Sequence, residues 1–168
     1  MDSIQDQHER AIGDDFIAAY NARYGTHFQF DRRGGDAPDL IYRDGTLEMA
    51  IEITDAYYDS ADATTRWQQA RQKSGAPSGW SWLKGGNIDG ALAEEVGRRI
   101  EAKAQCAYGA NCSLLVNVHP ALTTASDLEP FIPDIAIPVT HSFASIYLVG
   151  RFPCSADDPG GYHCWQLA

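Results

Sequence analysis

Apolar and polar positions alternate most clearly between Pro38 and Asp55, PDLIYRDGTLEMAIEITD. The pattern predicts two strands joined by a tight turn. Asp39 opens the first, Arg43-Asp44-Gly45-Thr46 makes the turn, and Leu47 to Thr54 forms the second. An Asp-Gly pair between apolar runs favours a hairpin, because glycine supplies the positive φ of a tight turn. Strand side chains alternate faces, so Leu47, Met49, Ile51 and Ile53 point one way. Glu48, Ala50, Glu52 and Thr54 point the other.

Upstream, Ile12, Phe16, Ile17, Tyr20 and Tyr24 recur at three- and four-residue steps. That period predicts a helix from Ser3 to about Tyr24, with Gly25 as its stop. HFQF (His27 to Phe30) suits a short strand, and the stretch from Asp31 to Ala37, rich in Arg and Gly, suits a loop. Beyond the hairpin, Ser60 or Asp62 can cap a helix reaching about Lys73, which Gly75-Ala76-Pro77-Ser78-Gly79 ends. The clearest helix follows, from Ile88 to Ala107, with Ile88, Leu92, Val96, Ile100 and Ala107 on its inner stripe and Gly109 beyond its end.

CSLLVNV (Cys112 to Val118) reads as a buried central strand, closed by His119-Pro120. A helix carrying the chain from one strand to another points to a crossover onto a mixed sheet. Pro130, Pro133 and Pro138 make DLEPFIPDIAIP irregular or a short helix. SFASIYLVGRF (Ser142 to Phe152) is a strand, and YHCWQL a last, edge-like one. The fold class is therefore α/β with an α+β mixed sheet. Its 168 residues suit a single domain, without repeat or linker.

Composition narrows the setting. No run of about 18 apolar residues suggests a membrane span. The N-terminus, MDSIQDQHER, is acidic and polar, unlike a secretory signal. Cys106, Cys112, Cys154 and Cys164 form no CxxC, so zinc-finger spacing is absent and reduced thiols in a cytoplasmic protein are expected. A disulfide from Cys154 to Cys164, closing the C-terminal loop, is the secondary reading. The formal charge of −10 opposes non-specific binding to nucleic acid, although a local basic strip can still hold phosphates.

Candidate chemistry gathers on the hairpin. Glu52 lies between Ala50 and Thr54 on the less apolar face, close to the partner strand that carries Asp39. Two carboxylates on adjacent strands are what a hard cation such as Mg²⁺ requires, with water completing its octahedron. An amphipathic hairpin whose acids face water fits the same pattern. Glu9 falls along the apolar stripe of the first helix, either at its frayed start in water or pointing into a site. Lys103 falls within roughly 20° of both Leu92 and Val96 on the inner stripe, where an ammonium must snorkel or find a partner. Arg66, Arg71, Lys73 and Lys84 interleave with Trp67, Trp80 and Trp82. Such a mixture can hold a phosphate backbone and stack bases, or be a solvated face beside core aromatics.

A helix with Glu9, a strand, PD at Pro38-Asp39, EIT at Glu52 to Thr54, and a helix with Lys103 before an apolar strand resembles the PD-(D/E)XK nuclease superfamily. The resemblance covers roughly Glu9 to Val118 and implies a restriction-endonuclease-like αβββαβ core over about residues 4–118, with 119–168 as a C-terminal β extension. It implies that Asp39 and Glu52 bind Mg²⁺ or Mn²⁺, with Glu9 as the acid often contributed by the first helix. It also implies an endonuclease or exonuclease that hydrolyses phosphodiester bonds of nucleic acid. The chain departs from the pattern at Thr54, where the family has lysine. Members move that charge to the following helix, and Lys103 is the natural candidate. The alternative is a catalytically inactive nuclease-fold module that binds nucleic acid or a protein partner. A third reading uses His119, His141 and His163 with Cys164 as a zinc or nucleophile site, without any HxxxH or CxxC to support it.

Overall fold

The computed structural model of the chain describes residues 3–35, 37–57, 88–109, 111–120 and 123–168. The helix expected from Ser60 or Asp62 to Lys73, and the segment that interleaves cations with tryptophans, lie outside the described residues.

Helix α1 spans Ile4–Tyr24, with the apolar stripe dictating which side is covered. Ser3 caps it: its hydroxyl accepts from the Asp6 amide at 3.0 Å, and the Asp6 carboxylate accepts from the Ser3 amide at 2.7 Å. At the far end Gly25 takes a left-handed φ of 67° and donates its amide to the Asn21 carbonyl. Strands β1 (Gln29–Arg33), β2 (Leu40–Asp44) and β3 (Leu47–Ala56) follow as an antiparallel meander. The hairpin turn is shorter than the sequence suggests. Asp44 still pairs with Leu47, which leaves Gly45 and Thr46 alone in the turn, Gly45 at a φ of 58°. Strand β1 runs into the expected loop, because Arg32 and Arg33 pair with Ile41 and Leu40. Its register slips between Phe30 and Arg32, a bulge that leaves Asp31 unpaired.

Helix α2 (Ile88–Ala104) delivers the chain to β4 (Cys112–Val118), and a short α3 (Ala125–Leu128) with a 3-10 turn (Glu129–Asp134) delivers it to β5 (Ser145–Phe152). Strand β6 (Gly161–Gln166) then turns back along β5. The six strands lie in sequence order; β3, β4 and β5 are parallel and the outer pairings antiparallel. The mixed sheet expected from the sequence is therefore present, and every residue of β4 is buried. Helix α2 ends three residues early, and β5 starts three residues late.

The sheet divides two cores. On one face α1 lays Ile12, Phe16 and Ile17 over Leu40, Tyr42, Ile51, Ile53, Leu115 and Val149. On the other, Leu92, Val96 and Ile100 of α2 cover Leu114, Val116 and Ile146. A central strand is thus covered on both sides, which is why β4 carries apolar residues toward both faces, Leu114 and Val116 toward α2 and Leu115 toward α1, rather than a strict alternation. Among the described residues no helix is long and apolar enough to cross a membrane.

Candidate functional site

The β2–β3 register assembles the acids. Leu40 stands opposite Ile51, so Asp39, one residue earlier, falls opposite Glu52 on the α2 side of the sheet. Asp39 Oδ2 accepts the Ile53 amide at 2.8 Å, which ties its carboxylate to β3. Glu52 does not face water. It is 3% exposed, because α2 crosses over it. The inward lysine of that helix supplies its partner: Lys103 Nζ donates to Glu52 Oε1 at 2.5 Å. Thr54, where the motif lysine is absent, lies two residues along the same face.

Glu9 is buried rather than frayed into solvent. Its Oε2 accepts from Arg33 Nη2 at 2.5 Å and its Oε1 from the Gln5 side-chain amide at 2.8 Å. Arg33, which the sequence reading did not single out, comes from the part of β1 expected to be loop.

Electrostatics link the four predicted residues. Burial pushes the Asp39 carboxyl up to about 6, and the negative charges of Glu52 and Glu9 push the same way. The Ile53 amide and Lys103 oppose them. Burial and the Glu52 charge also raise the Tyr108 hydroxyl, and they push the Cys112 thiol up to about 12. Negative charge is in excess here: three carboxylates face two cations, Lys103 and Arg33. The second oxygen of Glu52 is buried without a hydrogen-bond partner among the described residues.

These residues fit a hard divalent cation by their donor chemistry and by that unmet oxygen. Glu9, Asp39 and Glu52 do not bring three ligand atoms within 4.8 Å of one another. A cation held by Asp39 and Glu52 therefore draws its other ligands from water or substrate.

The histidines of the third reading, His119, His141 and His163, are not gathered. His141 lies beside Phe143, and His163 beside Phe152 and Trp165. All four cysteines are free, so no Cys154–Cys164 disulfide closes the C-terminal loop. His119 instead meets His8 and Asp55, which the sequence reading passed over, on the α1 side of the sheet. Their signal was periodic: His8 precedes Ile12 and Phe16 by four and eight residues, and Asp55 alternates with Ile51 and Ile53.

No known protein family, curated protein or solved structure matches the chain.

Proposed function

We propose that the chain is a metal-dependent nuclease of the PD-(D/E)XK type, in a reducing, cytoplasmic setting in keeping with its four free thiols. Glu52 carries the reading. A carboxylate this buried, with one oxygen on Lys103 and the other unmet, is costly unless a cation completes it. Asp39 and Glu52 would hold Mg²⁺ or Mn²⁺, which when bound lowers the pKa of a water and neutralises the scissile phosphate.

The chain's own residues do the rest. Asp39, anchored on the Ile53 amide, keeps its carboxylate in place without help from the ligand. Lys103 brings the positive charge that Thr54 cannot, at the place where charge develops on the phosphate. One such group is worth about 10²–10³ in rate. Glu9 acts through its charge or through water, since its oxygens are already engaged by Arg33 and Gln5.

The 2.5 Å contact of Lys103 with Glu52 also favours a second reading, in which the pair is structural and the domain only binds. Cleavage of single- and double-stranded DNA and RNA with Mg²⁺ or Mn²⁺ separates the two. Metal-dependent cleavage abolished by Asp39→Asn and by Glu52→Gln supports the nuclease. Cleavage retained by the double variant refutes the site, and no cleavage by wild type leaves the binding module.

A further inference from the structure

Strands β3 and β4 are parallel neighbours, so their carboxyl ends lie side by side at one end of the sheet. Asp55 stands at the carboxyl end of β3 and His119 just past β4, on the face opposite Glu52. His8 reaches them from α1. Its Nε2 is 3.0 Å from Asp55 Oδ2, and His119 Nε2 is 2.8 Å from Asp55 Oδ1. Among the described residues this is the one group of three metal-ligating side chains whose ligand atoms all lie within 4.8 Å of one another.

The geometry points to a transition-metal site of the zinc class, made by His8, Asp55 and His119 and separate from the carboxylate pair on the other face.

Ligand type sets the metal. Two imidazole nitrogens and one carboxylate suit Zn²⁺ and its neighbours, not Mg²⁺. Tetrahedral bonds of about 2.0–2.1 Å put ligand atoms roughly 3.3 Å apart. Through the single oxygen Asp55 Oδ1 the contacts are 3.2 Å to His8 Nε2 and 2.8 Å to His119 Nε2, within about half an ångström of that spacing.

Asn117 gives a second reason. Its amide nitrogen is 2.8 Å from Asp55 Oδ1 and 2.9 Å from His119 Nε2. A proton on His119 Nε2 makes the approach to Asn117 a donor facing a donor. A lone pair there makes the 2.8 Å approach to Asp55 an acceptor facing an acceptor. A cation between the nitrogen and the carboxylate uses both lone pairs and removes the mismatch. Asn117 then holds the ligating carboxylate, and Tyr57, stacked on the His119 ring at 5.1 Å, holds the imidazole.

The site is open. His8 and His119 line a cleft of about 290 Å³, together with Arg151 and Tyr162, and their side chains are 29% and 22% exposed. The Tyr162 hydroxyl in that lining is buried without a partner among the described residues. With two of the three ligands facing the cleft, the described residues leave a fourth position to water or a small anion, the arrangement of a reactive rather than a purely structural zinc site.

The test uses the full chain, stripped with a chelator and titrated with Zn²⁺ by calorimetry and with Co²⁺ by visible absorption. With excess Mg²⁺ present to fill the carboxylate pair, one equivalent of each is expected, with intense cobalt bands of low-coordinate geometry, and the Mg²⁺ should not displace either. His8→Ala and His119→Ala, checked for folding by circular dichroism, should each weaken Zn²⁺ by about 100-fold or more, and Asn117→Ala by about 10–100-fold. Glu52→Gln should leave this affinity unchanged. Failure of wild type to bind Zn²⁺ or Co²⁺ overturns the site, and so does affinity undiminished in a folded histidine variant or lost in Glu52→Gln. The wild-type cobalt spectrum decides even if the variants do not fold.

Discussion

Lys103, in the last turn of α2, places its amine 2.5 Å from Oε1 of Glu52 in β3, across 51 residues of sequence. A positive charge thus reaches the sheet from the helix. The acid is covered by that helix, while the lysine keeps 30% of its side chain in contact with solvent.

The pair is asymmetric, and so is the cost of breaking it. Lys103→Met leaves a carboxylate of 4% exposure without its donor. The expected loss is roughly 1–3 kcal/mol, that of a stranded polar group. It stays below the roughly 3–5 kcal/mol of a fully buried pair because water reaches the amine. Glu52→Gln with Lys103→Met should recover most of the loss. Urea unfolding of the four proteins measures this, and equal stability of all four would remove the pair from any account of the fold.

Asp39 predicts a dependence on pH. Its carboxyl rises from an ordinary 3.8 to about 6 in the fold, chiefly through burial. A raised pKa means the folded state holds the proton more tightly. The corresponding stability is complete below about pH 4 and is lost as pH rises through about 6. In chelator, Asp39→Asn should therefore melt with wild type near pH 4 and increasingly above it between pH 4 and 6, with a constant gap beyond. A gap independent of pH contradicts the assignment.

Thiol reactivity should split two and two. Cys106 and Cys154 are exposed, whereas burial pushes the Cys112 thiol up to about 12 and the Cys164 thiol up to about 11. Since the thiolate is the nucleophile, iodoacetamide at pH 8 should label Cys106 and Cys154 in the native protein. Cys112 and Cys164 should react only after unfolding. Peptide mass mapping reads the pattern, and early labelling of Cys112 would mean that β4 is not covered as described.

Gly13 marks where α1 comes closest to the sheet. A methyl group there would stand 2.5 Å from both Leu40 Cδ1 and Tyr42 Oη. Alanine gains up to about 1 kcal/mol of helix propensity over glycine, but overpacking costs about 1–3 kcal/mol. The clash wins here because Tyr42 is 1% exposed and its hydroxyl donates to Asp14 at 2.8 Å. Gly13→Ala should lower the melting temperature, and a rise would show that α1 can lift freely.

Much of this is visible in periodicity. The Asp-Gly turn between alternating runs predicts the hairpin that brings Asp39 opposite Glu52, and the three- and four-residue steps of α1 and the mostly apolar CSLLVNV run predict the helix and central strand around it. The stripe of α2 predicts that Lys103 points inward. Its partner is less legible, because a contact across 51 residues depends on how the helix crosses the sheet. The His8, Asp55 and His119 cluster escapes for the same reason: each lies on a periodic face, but only parallel pairing of β3 with β4 brings Asp55 beside Asn117. The loop expected at Arg32 and Arg33 is strand because β2 offers them partners, a tertiary preference that local composition does not carry.

The slip in β1 has an effect on the outermost rim of the sheet. Asp31 is extruded from the ladder, and Arg32 and Arg43 join it and Glu48 in a network of ion pairs that crosses from the edge strand to β2 and β3. A kinked border studded with alternating charges offers no flat row of amides and carbonyls for a stray strand to dock against. At the β1 edge, the pairing of a strand from a second molecule is thereby disfavoured.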